Sequence, residues 1–332
     1  MEKMGGTVIL AGDVGGTKTY LAVYQPNERG FEPLFEARYT TRDYADISAL
    51  LAAFVSESGH TPQRVAIGVP GPVRQLPVRA VNLPWMIDPE HIKSRLDVTQ
   101  VDLLNDLQAT SYGTLALREH DLHTLNVGHR DIKGNIAVIA AGTGLGEGGL
   151  VWADERHVSI ASEGGHSTFS PSNELEIDLV RYLQRQFDHV SWERIISGPG
   201  LASVYDFLCE RQPERQSTWM REALTEGDRS NSIANAALDE RCELAAEAID
   251  LFIYLYGCEA GNLALKFMST GGLYIGGGIA PKIIARLQHS RFMEGFLHKG
   301  RMRPALESIP VHVVLNDKTA LMGAAYWGAQ ET

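Results

Sequence analysis

At 332 residues the chain has room for two domains. Its 44% hydrophobic and 21% charged residues are those of an ordinary globular protein and argue against disorder, while a net charge of −11 argues against a nucleic-acid partner, which would need a basic face. Cys209, Cys242 and Cys258 are scattered and form no C-x-x-C pair, which argues against a disulfide framework or a zinc knuckle and fits a reduced compartment.

In chain order, Val8–Val23 reads as a β-hairpin, and Val8–Ala11 is too short for the apolar core of a secretory signal. Phe31–Tyr39 is a further strand, Ile47–Glu57 has helical periodicity, and Arg64–Val69 is a strand broken by Pro70-Gly71-Pro72. Val81–Trp85 is a loop, Pro89–Leu96 a short helix, and Val101–Leu104 a buried strand running into Asn105-Asp106 and a helix through Leu117. A second hairpin follows at Ala137–Trp152. Helices are expected near Glu174–Gln186, Ser191–Ile196, Leu201–Arg211 and Ile233–Met268. Within the last of these, Ala245–Leu265 is interrupted by Glu247, Asp250, Glu259 and Asn262 and reads as a buried helix, so no membrane span is expected. Leu273–Ile275 is a strand that ends in Gly276-Gly277-Gly278 and enters a helix at Pro281. Val311–Leu315 is the last strand and Thr319–Gly328 a small-residue helix.

The two hairpins resemble one another. Val8–Tyr24 reads V-I-L-A-G-D-V-G-G-T-K-T-Y-L-A-V-Y, and Ala137–Trp152 reads A-V-I-A-A-G-T-G-L-G-E-G-G-L-V-W. Self-similarity at this range suggests two related half-structures. Bare N–H groups and Thr hydroxyls in such turns, facing each other across a cleft, would hold a polyphosphate. The first turn is not a P-loop: Thr17 stands where the last Gly belongs, and the segment after Lys18-Thr19 is β-rich and too short for a helix. The second also runs into a strand, so it is no dinucleotide fingerprint. An ordinary glycine hairpin remains the alternative for either alone. Asp13 favours a metal-bound nucleotide at the first turn, since Mg²⁺ is held through one or two carboxylates plus phosphate oxygens.

Several segments occur together: D-V-G-G-T at Asp13–Thr17, L-N-D at Leu104–Asp106, A-G-T-G-L-G at Ala141–Gly146, E-G-G-H at Glu163–His166 and S-G-P-G-L at Ser197–Leu201. G-N-L-A-L at Gly261–Leu265 and G-G-G-I at Gly276–Ile279 complete the set. In this order and combination they resemble the bacterial glucokinase family, sugar kinases with the actin and hexokinase type of fold.

The resemblance implies that Asp106 is the catalytic base, at the end of a strand and the start of a helix whose N-terminus stabilises its carboxylate. A plain N-cap at Asn105 or Asp106 is the alternative. Asn105 would hold a neighbouring hydroxyl through its amide. Glu163 and His166 flank two glycines and offer acceptors and a donor suited to a polyol; a polar loop or a metal site are the competing readings. A zinc-binding branch of the sugar kinases has a cysteine cluster here, which Ser167–Asn173 lacks. The family places a sugar-binding Glu ahead of S-G-P-G, which matches Glu193; Ser191 and Glu193 also read as an ordinary helix start. Gly15, Gly16, Thr17 and Lys18, with Gly142, Thr143 and Gly144, would surround the phosphates of ATP, with Gly277 and Gly278 beside the adenosine. Lys18 stands where relatives often carry Asn, and is either a phosphate contact or solvated.

The expected fold is α/β, with two domains of duplicated actin/hexokinase (ribonuclease H-like) type flanking a catalytic cleft. The small domain comprises residues 1–106 plus 318–332 and the large domain residues 107–317, with tight crossings near Asn105 and Asn316. The expected activity is phosphorylation of the 6-hydroxyl of glucose by ATP, with Mg²⁺ held through water by Asp13. Another hexose (mannose, fructose or an N-acetylhexosamine) is the alternative substrate, and a sugar-responsive regulator or actin-like ATPase the alternative class. A cytoplasmic homodimer is expected from the resemblance.

Overall fold

Local sequence signals place most elements. The structure, a computed structural model, describes residues 6–26, 32–73, 75–80, 83–289 and 291–330. Phe31, Val81 and Asn82, named above, lie outside the described residues. The chain begins with β1 (Ile9–Val14), β2 (Lys18–Tyr24), β3 (Pro33–Thr40), α1 (Ile47–Ser58) and β4 (Arg64–Val69). The ribbon β5 (Val78–Arg79) and β6 (Met86–Ile87) precedes α2 (Pro89–Leu96), β7 (Gln100–Asn105), α3 (Asp106–Gly113) and β8 (Leu122–Asn126). Then come β9 (Ile136–Ala141), β10 (Leu145–Ala153), β11 (Arg156–Ile160), α4 (Glu174–Leu183), α5 (Gly198–Arg211) and α6 (Thr218–Ala223). The chain continues through α7 (Arg229–Leu238), α8 (Glu243–Phe267), β12 (Gly272–Gly276), α9 (Ile284–Leu287), α10 (Arg291–Leu297) and α11 (Arg303–Glu307). It ends with β13 (Val311–Val314) and α12 (Thr319–Gly328).

Helix boundaries follow capping chemistry. Asp46 accepts from the Ala49 N–H to cap α1, and Gly59, at φ 67°, ends it in the left-handed region. Asp88 caps α2 with Pro89 in the first turn. The helix expected over Ile233–Met268 is instead α7 and α8. Glu240 turns left-handed at φ 55° and the Arg241 N–H reaches back to the Ala236 carbonyl, an end geometry that stops α7 before α8 begins. Ser191–Ile196 holds only a 3₁₀ turn at Trp192–Arg194, α3 ends at Gly113 rather than Leu117, and a 3₁₀ turn at Ala280–Ile283 precedes α9.

The chain divides into two compact units. The first takes in residues through Asp121 and from Asn316 onward; its sheet has the order β3-β2-β1-β4-β7. In that sheet β1 pairs antiparallel with β2 and parallel with β4, and β4 pairs parallel with β7. The second unit, Leu122–Leu315, has the order β11-β10-β9-β12-β13-β8. There β9 pairs antiparallel with β10 and parallel with β12, and β12 parallel with β13. The first five strands of that list therefore repeat both the order and the directions of the first sheet.

The core of the second unit forms around α8, where Phe252 and Tyr256 are fully buried with Phe292 and Phe296 of α10. Gly257 and Gly261 let the two helices meet backbone to backbone: a Cβ on Gly261 would lie 2.5 Å from the Phe296 carbonyl oxygen. In the first unit, α3 packs on α12 in the same manner, which is why that unit extends past residue 106 to Asp121. A Cβ on Gly323 would lie 2.8 Å from the Ala109 carbonyl carbon and 2.5 Å from the Gly113 nitrogen. No side-chain rotation relieves a clash with backbone, so Gly323→Ala is expected to destabilise the fold by about 1–3 kcal/mol. Urea unfolding monitored by circular dichroism checks this; unchanged stability would contradict the close α3–α12 packing.

Candidate active site

In the first unit, the sequence between β1 and β2 makes a turn too tight for side chains on one side. The Gly15 N–H donates to the Lys18 carbonyl at 2.9 Å, and a Cβ on Gly15 would sit 2.8 Å from that oxygen. The Thr41 hydroxyl donates to the Gly15 carbonyl at 2.8 Å and lies 2.9 Å from the Thr19 hydroxyl. The Thr41 N–H reaches the Thr17 carbonyl at 3.0 Å. Thr41, absent from the sequence reading, thus braces the turn from the end of β3. Thr17 and Lys18 are exposed, whereas Asp13 and the two glycines are partly buried.

At the end of β7, Asn105 caps α3. Its Oδ1 accepts from Leu107 and Gln108 N–H groups, and Gln108 Oε1 accepts from the Asn105 N–H, a complete capping box. Asn105 Nδ2 donates to the Gly71 carbonyl at 3.1 Å, tying in the Pro70-Gly71-Pro72 segment. Only the second amide hydrogen of Asn105 is left for a ligand hydroxyl. Asp106 follows as the first helical residue, exposed, with Oδ1 accepting from the Leu107 N–H at 2.8 Å. Burial, reinforced by the negative charge of Asp106, raises the Asp13 carboxyl from 3.8 to about 6. A cation brought by a phosphate ligand fits this pair, because it offsets both effects. Among the described residues no group of three or more His, Cys, Asp or Glu could hold a metal, so phosphate oxygens and water would complete its coordination.

In the second unit the turn between β9 and β10 is held from several sides. Gly142 N–H donates to the Gly144 carbonyl at 2.8 Å, and the Gly142 carbonyl accepts from Gly198 N–H at 2.8 Å. Gly198 opens α5, which Ser197 caps by accepting from Gly200 N–H at 3.0 Å. The Ala141 carbonyl accepts from Ile279 N–H at 3.3 Å. Gly277, at φ 80°, packs on the Ala141 backbone where no Cβ fits. The Ala141 N–H donates to the Tyr256 hydroxyl at 3.2 Å. Gly165 packs against the Leu145 carbonyl.

Glu193 completes the arrangement. Its Oε2 accepts from Leu145 N–H at 3.0 Å and lies 2.6 Å from where a Cβ on Gly144 would be. Its Oε1 is 3.8 Å from His166 Nδ1. Ser191 makes no side-chain capping bond, so the local role of Glu193 is this bridge and not a helix start. Glu163 and His166 stand at either side of the Gly164–His166 3₁₀ turn, and both are exposed.

Gly142, Thr143 and Gly278 border a cavity of about 720 Å³, walled also by Gly198, Asn231 and Lys282. Its size suits a nucleoside-bearing ligand. Asp228, at its rim, accepts from Ser230 and Asn231, and these bonds, Ser230 first, hold its carboxyl below the usual carboxylate range. Lys282 Nζ donates to Asn231 Oδ1 at 3.2 Å. The sequence reading passed over Asp228–Asn231; an Asp ahead of a helical run was the available signal. Within the first unit, then, Asp13 and Asp106 lie in one electrostatic neighbourhood. Within the second, the glycine turn, Glu193, His166 and the cavity adjoin one another.

A family model described as Glucokinase matches residues 10–331. The glucokinase of Nostoc punctiforme is 39% identical over 339 residues, covering 98% of this chain and 99% of that protein. The crystal structure of glucokinase from an Antarctic psychrotroph superposes with a TM-score of 0.89 at 30% identity, covering 98% of this chain and 99% of the other. A ROK family glucokinase from Streptomyces griseus, solved in complex with glucose and AMPPNP, shares the fold at a TM-score of 0.67 and 21% identity, with 98% and 100% covered. The fold is thus the mixed α/β fold of the sugar kinases, and with a family match spanning nearly its whole length the chain belongs to the glucokinase family.

Proposed function

We propose that this chain is a glucokinase that transfers the γ-phosphoryl group of ATP to the 6-hydroxyl of glucose, giving glucose 6-phosphate and ADP. The observation that carries the reading is the second glycine turn, on which S-G-P-G, the G-G-G segment, Glu193 and E-G-G-H all bear beside a nucleoside-sized cavity. A regulator or a structural ATPase has no need for an exposed Asp106 beside Asp13 as well.

Phosphoryl transfer is mostly positioning and charge stabilisation. With the Gly15 and Gly142 N–H groups closing their own turns, the N–H groups of Gly16, Thr17, Thr143 and Gly144 hold phosphate oxygens, Lys18 adds a positive charge, and Gly277 and Gly278 lie along the nucleoside. Glu163, His166, Glu193 and the remaining Asn105 amide hydrogen bind sugar hydroxyls. Asp106 accepts the proton of the 6-hydroxyl as the oxygen attacks. Asp13 would hold, through water, the Mg²⁺ that accompanies ATP, and that ion would supply charge neutralisation on the phosphates.

The repeated strand order supports two duplicated ribonuclease H-like domains, the first taking in α3 and reaching Asp121 where residue 106 was the expected boundary. A cytoplasmic homodimer is part of the same reading and rests on the family resemblance. No helix among the described residues is long and apolar enough to cross a membrane.

Asp106→Ala is expected to lower kcat about 10²–10⁴-fold, the usual worth of a positioned base. Glucose affinity, measured by calorimetry, should change only a few-fold, because the other hydroxyl partners remain. Turnover within a few-fold of the parent would make Asp106 a structural residue of the α3 start.

Asp13 sets a pH dependence with opposite signs for activity and stability. Its carboxyl, raised to about 6, gains a proton below that pH and loses the charge that favours Mg-ATP, so kcat/KM for Mg-ATP should fall as pH drops through about 6. The ligand-free fold behaves in reverse. Because the folded state binds this proton more tightly than the unfolded state, its contribution to stability is lost as pH rises from about 4 to 6. Asp13→Asn should flatten both trends around that window. Parallel pH profiles in parent and variant, by kinetics and by thermal melts, would contradict the assignment.

A further inference from the structure

Glu147 has no part in the chemistry above, yet it lies directly under the hydroxyl-binding turn. It is 1% exposed on β10, and neither carboxyl oxygen has a hydrogen-bond partner among the described residues. A buried polar group left unpaired costs stability and calls for a reason. Gly164 packs onto it: a Cβ on Gly164 would lie 3.1 Å from Glu147 Cβ, with Oε2 closer still. The 3₁₀ turn between Glu163 and His166 therefore rests on this side chain and on the neighbouring Leu145 carbonyl.

The surroundings decide its charge. From α8, Glu259 faces it as a like charge, Lys266 as an opposite one, and the Tyr256 hydroxyl lies within its field. Across the hairpin it pairs in register with apolar Ile139 of β9, and the titratable groups of the turn itself are Glu163 and His166. Glu259 is fully buried and already engaged, accepting from Asn262 Nδ2 at 2.7 Å and from Lys266 Nζ at 3.3 Å. Glu259 therefore keeps the available positive charge. Glu147, pushed up to about 8 first by burial and then by Glu259, is the neutral member at physiological pH.

We propose that Glu147 is a positioning residue for the sugar: as a neutral acid it supports the Gly164–His166 turn, and its ionisation at alkaline pH displaces that turn and weakens hexose binding. The inference rests on the reading that Glu163 and His166 bind hexose hydroxyls. An ionised carboxylate in this place is buried and unpaired, and the flexible Gly164-Gly165 backbone above it is where the structure can open to let water in.

The test is glucose binding to the full chain without nucleotide, by titration calorimetry from pH 7 to 9.5, with a thermal melt at each pH to establish folding. If glucose binds only the neutral form, affinity in the parent should be about tenfold weaker at pH 9 than at pH 7, following the neutral fraction. Glu147→Gln, neutral at every pH and of the same shape, should bind within a few-fold of the parent at pH 7 and stay flat to pH 9. Glu259→Gln removes the repelling charge, so its loss of affinity should begin at lower pH than in the parent. Glucose affinity that is flat in the parent, or that falls equally in Glu147→Gln, overturns the inference alone. Should Glu147→Gln fail to fold, an unshifted profile in Glu259→Gln overturns it. No glucose binding by the parent at pH 7 overturns the sugar-site reading and the inference with it.

Discussion

The backbone of the turn from Ala141 to Leu145 is the constraint on which the second unit's site depends. Four backbone groups of this stretch are used by segments distant in sequence: Tyr256, Ile279, Gly198 and Glu193 each take one. Gly165 and Gly277 come too close for a side chain. Such a hub is possible because β9 and β10 are antiparallel neighbours in the middle of a sheet and leave the turn at its edge. Those two glycines serve close approach: a methyl group on either would meet a backbone carbonyl and not open space.

Acidic side chains serve three physical purposes around this framework. Glu193 accepts from the Leu145 N–H while its other oxygen lies near His166, so the glycine turn and the E-G-G-H segment share one carboxylate. Burial and then Asp106 raise the Asp13 carboxyl to about 6, so a cation beside it would relieve both effects. Glu147 and Glu259 share a buried neighbourhood in which only one has a cationic partner. Each arrangement costs folding energy, as buried or crowded carboxylates do. All three adjoin the glycine turns or the E-G-G-H segment, while the hydrophobic clusters around Phe54 and Phe252 carry the stability.

Much of this was legible in the sequence where the determinant is local. Arg64–Val69, Pro89–Leu96 and Thr319–Gly328 have the bounds expected from the sequence, and both glycine hairpins are hairpins. Asn105 followed by Gln108 spells its capping box. What was not legible is whatever depends on partners far along the chain. Nothing near Thr41 announces that its hydroxyl will hold Gly15. Nothing in Ser191-Trp192-Glu193 distinguishes a capped helix from a 3₁₀ turn whose glutamate reaches Leu145. The break between α7 and α8 depends on one left-handed Glu240, an uncommon conformation for that residue type. Strand β11 and helix α6 are short and polar, and their periodicity is too weak to stand out from a loop.

The account's central claim is transfer of a phosphoryl group to one hydroxyl of a hexose, and identification of the product tests it most directly. The purified full chain would be incubated with Mg-ATP and, separately, glucose, mannose, fructose, N-acetylglucosamine and 6-deoxyglucose, with products assigned by ³¹P and ¹H nuclear magnetic resonance. The account predicts glucose 6-phosphate as the main product, formed with stoichiometric ADP, and no transfer to 6-deoxyglucose. ATP hydrolysis with no phosphorylated sugar, or a phosphate at any position other than the 6-hydroxyl, would contradict it.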